Sequence, residues 1–455
     1  MLRLTLRKFL SFLLTLALSL SITAPAVIAE ESPKSDDIVI LYTNDIHTYI
    51  DGDISYDVIA AVKQDLQTRY NHVLLVDAGD HIQGTAYGSM DKGKTIIDLM
   101  NASGYDAATL GNHEFDYGMQ GCIDVRSWAS FPYTSCNFYH ETSGVRGANV
   151  LNPYVTINCG AVDVAFVGIT TPESFTKTTP AYFQDEHGNY IYGISGGNDG
   201  QALYNDVQTA IDGAKTNGAE YVIALGHLGD DAGSAPYTSA ATIANVTGLS
   251  AFIDGHSHSI VEGSTVADKD GNSVLLTQTG EYFNRIGMMI IDTDDATLDG
   301  TPVGTITTDF IEVEDVSALT PDPTVKAVKD AWIVQIDTQL GTVIGSSEVT
   351  LDNYDTNGVR LVRSQETNTG DFCADALYYL FDNMDMDVDV AIMNGGGVRS
   401  KAITGDISYQ TCKAIHTFGN VACLQTVTGH RRHTTSCTAR LNLRIAHTTC
   451  QRHTT

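Results

Sequence analysis

Positive charge is scarce in this chain. Its 455 residues hold 26 Lys and Arg against 55 Asp and Glu, a formal net charge of −29. A surface of that sign does not grip a nucleic-acid backbone, which argues against a nucleic-acid polymer as partner. Small phosphate substrates stay open, because a metal centre inverts the local field. Cysteine is also sparse: eight thiols lie scattered, with no Cys-x-x-Cys metal spacing. Cys122 and Cys136 are the only pair considered for a disulfide, and unpaired thiols are the simpler reading. Neither an internal repeat nor a long low-complexity segment stands out. What remains is the composition of a folded protein, 43% hydrophobic and 18% charged, long enough for two or three domains.

The two ends differ from the body. Arg3, Arg7 and Lys8 precede an apolar stretch from Phe9 to Ile22, and Val27-Ile28-Ala29 ends in a small residue before Glu30. This pattern predicts a secretory signal over 1–29, cut after Ala29. The stretch is shorter than the roughly 20 residues of a spanning helix, so no stable membrane span is expected after cleavage. A secreted, periplasmic or cell-surface location follows. From His430 onward Arg, His and Thr dominate and acidic residues vanish. Residues 430–455 therefore read as a tail foreign to the folded protein, as an out-of-frame extension would be.

Apolar β-branched runs alternate with helical spacing through the first two-thirds. Strands are predicted near Ile38–Thr43, Val73–Asp77, Ala107–Leu110, Val162–Ile169, Tyr221–Leu225, Ala251–Asp254, Val274–Thr277 and Ile286–Asp292, with helices over Tyr56–Tyr70 and Ala202–Lys215. Such alternation indicates a layered α/β architecture with buried sheets. Asp322-Pro323 is a helix entry and Gly341 a stop, which predicts one helix over Thr324–Leu340. The expected divisions are a first domain over 36–315, a linker helix over 316–342 and a smaller domain over 343–429 that contains a strand at Val388–Met393.

Polar clusters stand where those strands end. Asp45 and His47 follow the first and share a face if the chain stays extended. Asp77-Ala78-Gly79-Asp80 follows the second, and the Gly111–Asp116 stretch, with Asn112, His113, Glu114 and Asp116, follows the third. His227 closes another strand, and Asp254-Gly255-His256-Ser257-His258 sets two imidazoles two residues apart, again on one face if extended. Mixed oxygen and nitrogen donors suit a borderline divalent ion such as Zn²⁺ or Mn²⁺. Asp80 has two oxygens and is able to bridge two such ions. Open α/β sheets bind ligands beyond the carboxyl ends of their strands, and each cluster lies at one.

These clusters resemble those of the calcineurin-like metallophosphoesterases, and more narrowly the 5′-nucleotidase family of exported enzymes. The matching text is TNDIHTYID, DAGDHIQGT, TLGNHEFDYG, GHLGDD and IDGHSHS, then NGGGVRS and TFGN, within Asp37 to Gly429. The resemblance implies a four-layer αββα sandwich with a two-metal centre and a second, smaller α/β domain that recognises the nucleoside. It assigns Asp45, His47 and His258 to one metal, Asn112, His227 and His256 to the other, and Asp80 to both. His113 becomes the catalytic imidazole, oriented by Asp116, while Glu114 is left as a solvated or supporting carboxylate. Arg363, Asn394, Arg399 and Phe418, with Asn112, match positions used for substrate, Phe418 by stacking on a base.

The resemblance stops near Gly429, where family members carry more sequence, so the second domain is expected to be incomplete and to lack one wall of its pocket. The implied function is release of phosphate from nucleotides. The metal motifs do not separate this from hydrolysis of 2′,3′-cyclic nucleotides or nucleotide sugars, and a truncated, non-catalytic secreted product stays an alternative. Oligomeric state is not encoded in any motif.

Overall fold

The computed structural model describes residues 34–293, 305–399, 402–418, 420–432 and 438–449. The expected signal segment and residues 433–437 and 450–455 of the expected tail lie outside the described residues. Strands β1 (Ser35–Thr43), β2 (Tyr70–Asp77) and β3 (Ala107–Thr109) run parallel in a six-stranded sheet that Tyr133–Thr134 extends on one side. Ile286–Ile291 and Ile306–Ile311 add antiparallel strands on the other. The second six-stranded sheet holds β4 (Val162–Thr170), β5 (Tyr221–His227), β6 (Ala251–Ile253) and β7 (Ser273–Thr279) as parallel neighbours, with antiparallel edges Tyr154–Cys159 and Ile260–Ala267.

Period-two alternation along β1 explains the layering. Ile38, Ile40 and Tyr42 join Val164, Phe166, Ile223 and Ile253 in the core between the sheets. Val39 and Leu41 point the other way, into a core shared with helices α1 (Tyr56–Gln67) and α2 (Lys94–Ser103). Helix α3 (Gln201–Thr216) covers the outer face of the second sheet through Leu203, Val207 and Ile211. The result is the four-layer sandwich, each fully buried aliphatic side chain worth about 1.5–3 kcal/mol. Tyr42 Oη and Thr277 Oγ1 meet at 2.6 Å between the sheets and satisfy each other there.

Helix α4 spans Pro323–Leu340, with Asp322 as its N-cap accepting from Thr324 and Val325 N–H at 2.8 and 2.9 Å. Buried Lys329 on α4 donates to buried Asp57 at 2.7 Å, and Trp332 Nε1 donates to the Tyr87 carbonyl at 2.8 Å. The helix is thereby fastened to the first domain. The smaller domain has a modest core of Leu351, Cys373, Val398, Ile407 and Ile415 around α5 (Asn368–Asp382) and α6 (Tyr409–Ile415). Its strand Val390–Ile392 pairs in parallel with Thr438–Thr449, which pairs antiparallel with Val421–Arg432. Most of this backbone pairing falls in the stretch whose composition reads as foreign. Ala439 to Ile445 alternates apolar and polar residues, a strand period that composition alone conceals. Cys122 and Cys136 are both free thiols. Among the described residues no helix is long and apolar enough to cross a membrane.

Candidate metal centre

The loops after β1 and β2 lie side by side, because Asp45 N–H donates to the Gly79 carbonyl and His47 N–H to that of Asp80, each at 3.0 Å. The extended geometry expected for Asp45 and His47 is not what forms. Their φ angles are 50° and 49°, and those of Asp80, His256 and His258 are 61°, 80° and 59°. Left-handed backbone at a non-glycine residue costs of order 1–3 kcal/mol, and dense hydrogen bonding holds it here. Asn44 is one such tie: its amide donates to Asp45 Oδ2 and to the Gly280 carbonyl, both at 2.8 Å. The turns also need two glycines. A Cβ on Gly79 (φ +95°) would meet Gly111 N at 2.5 Å, and one on Gly111 would meet Asp80 Oδ1 at 2.2 Å.

These turns bring the predicted Asp and His donors together, with His113, from five strand ends. Three groups have their donor atoms within 4.8 Å of one another: Asp45, His47 and His258; His47, Asp80 and His113; and Asp80, His227 and His256. His258 Nε2 lies 3.3 Å from Asp45 Oδ1 and 3.1 Å from His47 Nε2. Asp80 Oδ2 lies 3.0 Å from His227 Nε2 and 3.9 Å from the Nε2 atoms of both His47 and His113, which puts it between the groups. The paired imidazoles of the Asp254–His258 stretch part company: His258 joins Asp45 and His47, whereas His256 stands beside His227, ring centroids 5.2 Å apart.

Three buried atoms of this set make no hydrogen bond: Asp45 Oδ1, Asn112 Oδ1 and His227 Nε2. His227 Nε2 and Asp45 Oδ1 are instead ion-paired within the centre, with Asp80 Oδ2 at 3.0 Å and His258 Nε2 at 3.3 Å. Buried polar atoms are rarely left without a hydrogen bond. An amide oxygen, carboxylate oxygens and imidazole nitrogens make up a donor set that fits a divalent cation.

Electrostatics follow from crowding acids and imidazoles. Burial alone would raise the Asp45 carboxyl, but His258 and His227 outweigh it and hold it below the usual carboxylate range. Burial would lower His227, yet Asp80 and Asp45 lift it to about 10. His113 follows the same logic: burial works against its proton, and Asp80 and Asp116 prevail and raise it. Its Nδ1 sits 2.5 Å from Asp116 Oδ2, which leaves Nε2 facing the centre.

Glu114, expected to be solvated or supporting, takes the supporting role: it is fully buried and accepts backbone N–H groups of Asp80, His81 and Gly111 at 2.9, 3.0 and 2.7 Å. Other participants escape sequence reasoning. Glu173 Oε2 lies 2.8 Å from His256 Nε2, and Glu281 pairs with His258 Nδ1. Nothing in the sequence marks these two, since each stands in a loop distant from its imidazole.

The second domain meets the centre directly. Phe418 stacks on His113, centroids 5.3 Å apart and planes at 28°, and the Arg399 guanidinium lies 5.2 Å from the Phe418 ring centroid. Arg399 is buried and donates to the Gly396 carbonyl at 2.9 Å. Arg363 and Asn394 stay exposed. Arg360, which sequence reasoning passed over, holds the glycine loop through the Val398 carbonyl at 2.6 Å.

Comparison with known proteins places this geometry. Residues 38–259 match the calcineurin-like phosphoesterase family, and residues 343–431 match the 5′-nucleotidase C-terminal domain. Snake venom 5′-nucleotidase of Crotalus adamanteus is 28% identical over 439 residues, covering 87% of this chain and 68% of the relative. The 5′-nucleotidase of Bos taurus is 27% identical over 430 residues, covering 84% and 68%. The crystal structure of a 5′-nucleotidase precursor from Thermus thermophilus shares the fold at a TM-score of 0.72 and 20% identity, covering 90% of this chain and 89% of that one. The chain belongs to the 5′-nucleotidase family, whose members are metal-dependent phosphoric ester hydrolases built on a calcineurin-like phosphoesterase domain.

Proposed function

We propose that this chain is an exported phosphohydrolase that holds two divalent ions, Zn²⁺ or Mn²⁺, and releases phosphate from nucleotides. The observation that carries this reading is the convergence of Asp45, His47 and His258, and of Asp80, His227 and His256, within 4.8 Å in each group, beside the His113–Asp116 pair. Asp45, His47 and His258 hold one ion, Asn112, His227 and His256 the other, and Asp80 contributes to both. Divalent metal in such a centre supplies charge that polarises phosphoryl oxygens and makes water more acidic.

Asp80 and Asp116 favour the charged form of His113. Asp116 fixes the ring through Nδ1, so Nε2 is the atom that donates toward the phosphoryl or leaving oxygen. Arg399, Arg363, Asn394 and Phe418 receive the rest of the nucleotide, the arginines taking its anionic groups. Tyr49, Gln83, Tyr282, Arg399 and Thr417 close tightly around His47 in this arrangement. Relatives found in venom support export.

The test is phosphate release by residues 30–455 from AMP, a 2′,3′-cyclic nucleotide and UDP-glucose, with Mn²⁺ or Zn²⁺ and with chelator. Chelator-sensitive release from AMP above the other two is expected. Absence of chelator-sensitive release from any of them overturns the reading, and a preference for either of the others moves the substrate class.

A further inference from the structure

Three of the imidazoles assigned to the ions turn Nε2 inward and anchor Nδ1 outside the centre, as His113 does through Asp116. His47 Nδ1 lies 2.8 Å from the Gln83 carbonyl oxygen, and His227 Nδ1 lies 2.7 Å from that of Ala78. Both acceptors are neutral backbone groups. His258 is different, because its Nδ1 meets the Glu281 carboxylate while its Nε2 faces Asp45 Oδ1 at 3.3 Å. A carboxylate behind a ligating imidazole fixes the ring's tautomer and orientation and makes its inner nitrogen a stronger donor.

Glu281 is held for that task. The preceding Gly280 carbonyl accepts from Asn44 at 2.8 Å, and the following Tyr282 N–H donates to the Asp45 carbonyl at 2.9 Å. The loop that presents Glu281 is thus tied on both sides to the loop that presents Asp45. Tyr282 also packs edge-on against the His47 and His258 rings, at 5.8 and 5.9 Å between centroids. Its backbone and that of Phe283 are left-handed, with φ of 61° and 55°, so the segment is preset rather than adaptable. The carboxylate near His256, Glu173, also accepts from Ser234 Oγ at 2.7 Å and lies 3.9 Å from Lys177 Nζ, while Glu281 also faces the Arg399 and Arg360 guanidiniums of the second domain.

We propose that Glu281 is a positioning residue that retains the divalent ion of the Asp45–His47–His258 group by orienting His258. The proposal rests on the two-ion reading above. Removing such a partner typically weakens metal binding about 10–100-fold.

The experiment is Mn²⁺ titration of the metal-free protein by calorimetry. Wild type is expected to show two binding steps, and Asp45→Asn identifies the one that belongs to the Asp45 group. Glu281→Gln, which keeps shape and removes charge, is expected to weaken that step about 10-fold or more and leave the other within about twofold. Glu281→Asp should recover part of the loss, and kcat of Glu281→Gln should return toward wild type at saturating Mn²⁺. A thermal midpoint of metal-free Glu281→Gln matching wild type shows that the fold is intact. Two wild-type steps with an unchanged Asp45-group affinity in Glu281→Gln overturn this inference alone, as does an equal weakening of that step by Glu173→Gln. A wild-type protein that binds no Mn²⁺ overturns the two-ion reading itself.

Discussion

Glu114→Gln keeps the outline of a fully buried side chain while removing its charge, and so isolates what holds the metal-bearing turns. Glu114 Oε2 accepts from Asp80 and Gly111 N–H, and Oε1 accepts from His81 N–H. Those donors belong to the turns that carry Asp80 and Asn112. Burial raises the carboxyl's pKa, His81 opposes that, and Asp80 adds to it. A glutamine offers one oxygen to three donors. With that oxygen kept on Asp80 and Gly111, its NH₂ faces the His81 N–H, and a buried donor without an acceptor costs about 1–3 kcal/mol. The two remaining bonds lose an ionised acceptor, about 1 kcal/mol each. Relief of carboxylate desolvation offsets part of this, for a net loss of about 2–4 kcal/mol. Urea unfolding of metal-free protein followed by tryptophan fluorescence reports it, because the only two tryptophans, Trp128 and Trp332, both pack against the first-domain core. A variant within about 0.5 kcal/mol of wild type, the range of ordinary surface substitutions, would refute the idea that this carboxylate holds the two turns.

His113→Ala is expected to lower kcat by at least about 100-fold with metal content unchanged, measured by phosphate release and by elemental analysis; loss of metal would make His113 a ligand instead. Lys329→Met leaves the Asp57 carboxylate buried and unpaired, so unfolding stability should fall by about 3–5 kcal/mol, and adding Asp57→Leu should restore most of it. Equal stability of the single variant and wild type would mean that α4 is fastened otherwise. Burial, with Lys413 nearby, lowers the His416 pKa below its ordinary 6.5. The fold therefore favours the neutral ring: its contribution is complete above that ordinary value and is lost as pH falls through the lowered one. The thermal midpoint of His416→Gln should be less sensitive to acidification than wild type, and identical pH profiles would contradict this.

Strands and donor types were legible for physical reasons. A parallel strand buried on both faces must be a run such as Ile38–Thr43 or Tyr221–Leu225, and only a few side chains suit a cation where such runs end. Edge strands were not legible, since Ile260–Ala267 is largely exposed and carries little apolar signal. Helix α2 was passed over although Ile96, Ile97, Leu99 and Met100 form its buried face, a pattern within reach of periodicity. Glu173 and Glu281 were beyond reach, because 83 and 23 residues separate them from their imidazoles and a glutamate in a loop looks like any solvated one.

The Asp254–His258 stretch shows where such reasoning stops. Two histidines two residues apart imply a shared face only if the backbone between them is extended. The backbone is left-handed at both, and one imidazole goes to each side of Asp80. Residue types therefore announce that a cation is to be held. How donors divide between groups depends on strained φ angles, and those angles persist only because loops remote in sequence tie them down. Asn44 clasps Gly280, and Tyr282 donates to the Asp45 carbonyl. The donor inventory is local, whereas its partition is a tertiary property, so substitutions in the tying loops should alter the metal balance without touching a single donor.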